Sequence, residues 1–307
     1  MKIALIGARC KRQGTGPWFA KHFTTLGASL SGIMGTCIES ALQASAELEQ
    51  RFGIVTTAYS DWESLIKGAQ PDLLVIASPA ATHRSYLQHA IDSALPVFVE
   101  KPFVWEDGRD NVQDTRELVQ QFEKKKIPLF VNTQWLESLE EFQVIYPHCD
   151  LNHVTTFEMN LSPTSKGVDM IVDALPHAWS MLYELVGEGE IEEIKAVFSG
   201  EKSLKISGFY HHEKAMTEFH FTMKTQSQQP RSFSYAINGN LVERIVDLSS
   251  YMMSFKAKNG IFPLRDPMEA RIRKILTLIE KKSYNDAHRR IIVETELLNQ
   301  SIKALKL

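Results

Sequence analysis

With 307 residues, 44% of them hydrophobic and 23% charged, the chain exceeds what one hydrophobic core usually fills, which favours two domains. A formal net charge of −3 gives no electrostatic case for nucleic acid or for an acidic membrane surface. No apolar run is long enough to span a membrane and Met1-Lys2 leads straight into a strand, while three cysteines without metal spacing (Cys10, Cys37, Cys149) point to a reduced, cytoplasmic protein.

Lys2–Ile6 is a mostly apolar run that predicts a strand ending at Gly7. Pro17–Leu26 predicts a helix, with proline in the first turn where a missing N–H costs nothing. The joint between them contains Gly7, Arg9, Lys11, Arg12, Gly14 and Gly16, yet six residues separate Gly7 from Gly14, so it is not the dinucleotide fingerprint G-x-G-x-x-G. Small residues still let a backbone approach a pyrophosphate, and the helix start offers unpaired N–H groups at a positive dipole end. A plain glycine loop is the alternative reading. A second strand, Leu30–Met34, ends at Gly35-Thr36, where folds that prefer NAD place an acid against the ribose hydroxyls. Here Thr36 takes that place and the first acid is Glu39. With no carboxylate to repel a 2′-phosphate and three basic residues close in sequence, the expected cofactor is NADP, with NAD the less favoured choice.

Helices Ile38–Arg51 and Trp62–Lys67, with a strand Val55–Tyr59 between them, lead to a βαβ unit. In it, Leu73–Ala77 is a buried strand closed by Ser78-Pro79, Thr82–Ser93 a helix, and Val97–Val99 a strand ending in Glu100-Lys101-Pro102. Ligands of such sheets bind beyond the carboxyl ends of the strands, where both Ser78-Pro79 and Glu100-Lys101-Pro102 fall. A lysine there suits a cleft better than a core, although a solvated loop lysine beside a chance Glu-Pro pair gives the same string. A helix Asp110–Lys125 and a strand Leu129–Val131 complete a β-α alternation that predicts a doubly wound parallel sheet.

Past His153 the pattern changes. His153–Leu161, Ile191–Phe198, Leu204–Tyr210, Glu218–Met223, Ser232–Ile237 and Leu241–Leu248 read as strands, the last two joined by Asn238-Gly239-Asn240, a hairpin signal. Helices are predicted over Val168–Val186, Pro267–Lys281 and Asn285–Leu305. The fold class is therefore α/β, a Rossmann domain over 1–134 followed by a substrate and oligomerisation domain over 135–307 with an open, mostly antiparallel sheet, the last helix able to pack back on the first domain. Asp173 and His177 lie four apart and share one face of their helix. Pro176 is best tolerated in a first turn, so the regular helix is predicted to begin near Asp173. Taken alone, the pair also fits a capping residue and a structural histidine. His211, His212 and His220 lack further ligands at metal spacing and read as surface histidines.

Ser78-Pro79-x-x-x-His83, Glu100-Lys101-Pro102 and Asp173-x-x-x-His177 followed by Leu185-Val-Gly187 together resemble the glucose–fructose oxidoreductase/inositol dehydrogenase (Gfo/Idh/MocA) family. The resemblance implies a nicotinamide cofactor on the first domain, touching Gly7, Arg9, Arg12, Gly14, Gly16, Thr36, Ser78, Pro79, His83, Glu100 and Lys101. It implies that Lys101, Asp173 and His177 meet at a small-molecule substrate in a cleft between the domains, with His177 moving the proton and Lys101 as its electrostatic partner. A homo-oligomer, dimer or tetramer, through the C-terminal sheet is expected. The chain departs from the family in its stretched glycine loop, in Leu175 where the family has glycine between the Asp and His, and in lacking the arginine that many members carry near Asn132-Thr-Gln134-Trp135. The expected activity is hydride transfer between NAD(P) and a carbonyl, alcohol or imine, such as a sugar derivative; the alternative is a nucleotide-binding relative that has lost turnover and serves as a regulator or scaffold.

Overall fold

The computed structural model describes residues 1–9, 14–213, 215–282 and 286–306. They form two compact units, Met1–Asn132 with Arg271–Ile291, and Thr133–Ala270 with Ile292–Leu307.

The first unit runs β1 (Lys2–Ile6), α1 (Gly16–Thr25), β2 (Ser29–Met34), α2 (Ile38–Phe52), β3 (Ala58–Tyr59), α3 (Trp62–Ala69), β4 (Leu73–Ile76), a single 3₁₀ turn (Ala80–Thr82), α4 (His83–Asp92), β5 (Val97–Glu100), α5 (Asn111–Lys125) and β6 (Leu129–Asn132). Every residue of β4, β5 and β6 is buried, as a sheet covered by helices on both faces requires. The strands pair in parallel in the order β3-β2-β1-β4-β5-β6, so the order reverses between β1 and β4. Helix starts are set by side chains: Asp61 accepts from the Ser64 N–H at 2.9 Å and Asp110 from Gln113 at 3.0 Å. Gly53, in the left-handed region at φ +69°, ends α2. Phe19 and Phe23 of α1 meet Phe98 of β5 edge-on, with ring centroids 5.0 and 5.8 Å away. The predicted strand Val55–Tyr59 shrinks to Ala58–Tyr59 because Val55, 76% exposed, has no sheet face to cover. Arg271 joins this unit through its guanidinium, which donates 3.1 Å to the Val131 carbonyl.

The second unit opens with a 3₁₀ turn (Gln134–Ser138) and α6 (Leu139–Ile145), then β7 (Thr156–Leu161), α7 (Asp169–Val186), β8 (Gly189–Phe198), β9 (Ser203–His212), β10 (Ala215–Lys224), β11 (Phe233–Ile237), β12 (Asn240–Val246), β13 (Met253–Ala257) and β14 (Gly260–Leu264). Two helices close the chain, α8 (Pro267–Lys281) and α9 (Asp286–Lys303). Its eight strands run β14-β13-β12-β11-β7-β10-β9-β8, antiparallel except where β7 pairs with β10 in parallel. The fold class is α/β, a parallel Rossmann sheet followed by a mostly antiparallel one. Asn238 and Gly239, at φ +50° and +77°, make the tight turn between β11 and β12 that their sequence demands.

Two readings are corrected. The helix carrying Asp173 begins at Asp169, which leaves Pro176 well inside it. Proline in a helix interior costs about 3 kcal/mol. Met170, Ile171 and Leu175 are each fully buried, at roughly 1.5–3 kcal/mol apiece, and outweigh that cost. The β13–β14 hairpin was not anticipated, although Lys258-Asn259 sits between its strands, Gly260 opens β14 and Phe255 marks the buried face.

Candidate active site

The glycine joint ends where the sheet order reverses. Gly7, at φ +93°, follows β1 with its Cα pressed on the chain beyond β4: a Cβ there would lie 2.6 Å from Ala77 C and Ser78 N. Gly16, the first residue of α1, comes so close to Gly7 that a Cβ would sit 2.3 Å from the Gly7 carbonyl oxygen. These are the duties of the first and last glycines of a dinucleotide loop, a tight turn and close helix–strand packing, met here across a longer gap. Gly14 differs, since among the described residues nothing lies within 4 Å of a Cβ built on it. Arg9 is exposed, and Arg12 lies outside the described residues together with Lys11. The joint therefore fits a dinucleotide: the turn and packing are built, and the helix start presents its N–H groups.

The carboxyl end of β2 is equally shaped. A Cβ on Gly35 would meet the Ser40 hydroxyl at 2.3 Å, and that hydroxyl donates to the Cys37 carbonyl at 2.8 Å, which fixes the turn into α2. Thr36 and Glu39 are both exposed there. Glu39 holds its charge below the usual carboxylate range through hydrogen bonds from its own N–H and from Cys37.

At the ends of β4 and β5 the polar groups are more deeply set. Ser78 accepts from the Thr82 hydroxyl at 2.7 Å, and the same hydroxyl reaches the Pro79 carbonyl at 2.7 Å. His83 is fully buried, with Nε2 2.8 Å from the Ser78 carbonyl and Nδ1 3.0 Å from both the Pro102 and Phe103 carbonyls. It is a strut between the loop after β4 and the loop after β5. Burial pushes its pKa down, while the three carbonyls and Glu100 pull the other way. Glu100, 8% exposed, accepts from the Lys101 N–H at 2.6 Å and from Asn132 at 2.9 Å. Lys101 therefore leaves the strand from a fixed backbone. Sequence reading missed Asn132, although an asparagine closing the apolar run Leu129–Val131 is a residue type that strands avoid.

Asp173 and His177 lie in the second unit, on one face of α7. The Ser165 hydroxyl donates to Asp173 at 3.0 Å, and His177 is 9% exposed. Rotation of the helix is set by Trp179, which is fully buried, rests edge-on against Phe219 and Phe221, and donates to Ser301 at 3.2 Å.

Residues 1–133 match the sequence model of a family described as oxidoreductases with an NAD-binding Rossmann fold, Gfo/Idh/MocA. These residues are similar to the Rossmann domain of the Gfo/Idh/MocA oxidoreductases. Inositol 2-dehydrogenase from Azotobacter vinelandii is 29% identical over 103 residues, a match that spans 33% of this chain and only 30% of that relative. Three solved structures share the fold along nearly the whole chain. UDP-N-acetylglucosamine 3-dehydrogenase GnnA from Acidithiobacillus ferrooxidans is 16% identical, with 99% of this chain and 97% of that one covered at a TM-score of 0.71. The dehydrogenase MviM from Clostridium difficile is 14% identical, with 99% of each chain covered at 0.71. GenD2 of gentamicin A biosynthesis, solved with NAD, is 13% identical, with 99% and 93% covered at 0.72. At these identities the likeness to the three structures is one of fold alone.

Proposed function

We propose that the chain is an NADP-dependent oxidoreductase that transfers a hydride between the nicotinamide and a small carbonyl, alcohol or imine. The observation that supports it best is Glu100 fixed on the Lys101 N–H and on Asn132, at strand ends of a Rossmann sheet matched to this family. In this reading Gly7, Gly14 and Gly16 admit the pyrophosphate, Arg9, Arg12 and Thr36 face the adenosine ribose phosphate, and Ser78, Pro79 and Glu100 line the nicotinamide side. His83 acts on that side by holding two loops in place, not by contact. A bound nicotinamide supplies the hydride donor or acceptor. Reduction of a carbonyl develops negative charge on its oxygen, which the Lys101 ammonium stabilises, and His177 delivers the proton at its imidazole. Asp173, one turn before His177, orients the imidazole or holds a substrate hydroxyl. The direct test follows NADPH absorbance over a panel of sugar, polyol and imine substrates. NADPH binding without turnover on any of them would favour a relative that has lost its chemistry.

A further inference from the structure

The buried face of the second unit's sheet holds an arginine where an apolar residue belongs. Val242 pairs with Tyr235, and Arg244, two residues on, points to that same face opposite Phe255. Tyr235 pairs with Met159, and Met159 with Phe221, the ring that meets Trp179 of α7. Arg244 therefore shares its face with the helix of Asp173 and His177. Trp135 and Phe233 stack there with ring centroids 3.7 Å apart at 16°, and the Arg244 guanidinium lies 5.1 Å from the Trp135 ring and 6.0 Å from that of Phe233. α7 also packs on the 134–138 turn that presents Trp135.

The charge of Arg244 is poorly matched. One of its nitrogens donates to the Arg231 carbonyl, while Nε is buried and reaches no acceptor among the described residues. Burial, and the positive charge of Arg231 nearby, push its pKa down to about 10, against a smaller opposing effect of Asp266. No carboxylate is in ion-pair contact with either guanidinium among the described residues. Both arginines are half-buried, so solute can reach them. A guanidinium tolerates such a place against aromatic faces, and its planar donors match the oxygen atoms of a carboxylate or phosphate. Two cations, one with an unfilled buried donor over an aromatic floor, form a site whose missing component is an anion.

We propose that Arg244, with Arg231 beside it and the Trp135–Phe233 stack beneath, binds the carboxylate or phosphate oxygens of a small molecule. Taken with hydride transfer, on which this one step rests, the substrate is an anionic one.

Calorimetric titration of the full chain without cofactor, using inorganic phosphate and acetate in turn, tests the site independently of turnover. Wild type should bind at least one of them, and the stronger tells phosphate from carboxylate. Arg244→Gln should lose at least tenfold in affinity, and Arg244→Lys, which keeps charge but not the planar stack, should fall between. Arg231→Gln covers the case in which Arg244→Gln does not fold, and should also weaken binding. Failure of both anions to bind wild type would overturn the site, as would unchanged affinity in a folded Arg244→Gln. Either result leaves the hydride-transfer reading standing, and absence of turnover alone leaves the anion site standing.

Discussion

Asn132 donates 2.9 Å to Glu100, and so ties the carboxyl end of β6 to that of β5 at the point where Lys101 leaves the sheet. Because Glu100 also accepts from the Lys101 N–H, one nearly buried carboxylate sets the start of the lysine from two sides. Removing the amide with Asn132→Ala should cost about 1.5–3 kcal/mol, the range for a hydrogen bond to a charged group. If Lys101 acts on substrate, turnover should fall further, on the order of 100-fold for a displacement near 1 Å. Asn132→Asp sets a second carboxylate against Glu100, so its melting temperature should fall most near neutral pH and recover partly on acidification. A melting temperature for Asn132→Asp that does not depend on pH would sink this account of the brace.

The three glycines of the first joint separate into two kinds. Gly7→Ala combines positive-φ strain of about 1–2 kcal/mol with overpacking of about 1–3 kcal/mol against the backbone at Ala77 and Ser78. Gly16→Ala has the overpacking alone, against the Gly7 carbonyl. Gly14→Ala meets nothing among the described residues and should stay within about 0.5 kcal/mol of wild type. Its effect should instead appear in nucleotide affinity, measured beside urea unfolding. Equal unfolding midpoints for all three variants would show that the packing assigned to Gly7 and Gly16 is wrong.

How far the sequence made this legible depends on the range of each interaction. Gly7, Gly16 and Glu100-Lys101-Pro102 were readable because their constraints act through local backbone geometry at the ends of short apolar runs. The start of α7 was misread because Pro176 was weighed as a local breaker, whereas the burial of Met170, Ile171 and Leu175 decides the helix. Asn132 and Arg244 stayed hidden for another reason. Each is a polar residue inside an apolar pattern, and its partner, Glu100 at a separation of 32 or Trp135 at the start of the second unit, is set by strand order and not by spacing. The parallel pairing of β7 with β10 was equally invisible to local signals.

His83 gives the chain a dependence on pH whose sign follows from burial. The imidazole is held below its ordinary value of about 6.5, so the folded chain keeps it neutral where the unfolded chain takes up a proton. Protons bound by the unfolded state exceed those of the folded state below about pH 6.5, so stability should fall as pH falls through that value. His288, also pushed down by burial with Glu123 opposing, adds in the same direction. His83→Gln should reduce the slope of stability against pH between 7 and 5 without abolishing it. An unchanged slope in that variant would remove His83 from the account.

If the chemistry is as proposed, His177→Ala and Lys101→Ala should each lower turnover by roughly 100- to 10,000-fold, the usual worth of general acid–base help. Nucleotide affinity should barely change in His177→Ala, because the residue belongs to the second unit while residues 1–133 carry the NAD-binding match. The pH profile separates the roles. Loss of the acidic or basic limb in His177→Ala identifies the proton carrier, whereas Lys101→Ala should lower the whole profile. Near wild-type turnover in both variants on a validated substrate would end this assignment.

Cofactor choice turns on Thr36, exposed at the end of β2 where a ribose-binding acid would repel a 2′-phosphate. Wild type should bind NADPH more tightly than NADH in a fluorescence titration. Arg9→Ala should narrow the difference by removing one cation from the joint, and Arg9→Ala with Arg12→Ala should narrow it further. Thr36→Asp adds a carboxylate at the same place. Two exposed charges about 4 Å apart interact by about 1 kcal/mol in water and by about 4 kcal/mol at a protein surface, so the substitution should weaken NADPH by roughly tenfold or more and leave NADH unchanged or improved. The preference should therefore invert in Thr36→Asp. Glu39 limits the effect, because its lowered pKa already keeps one negative charge in the first turn of α2. If that charge dominates, wild type itself binds NADH more tightly, and the NADP assignment falls on the first titration.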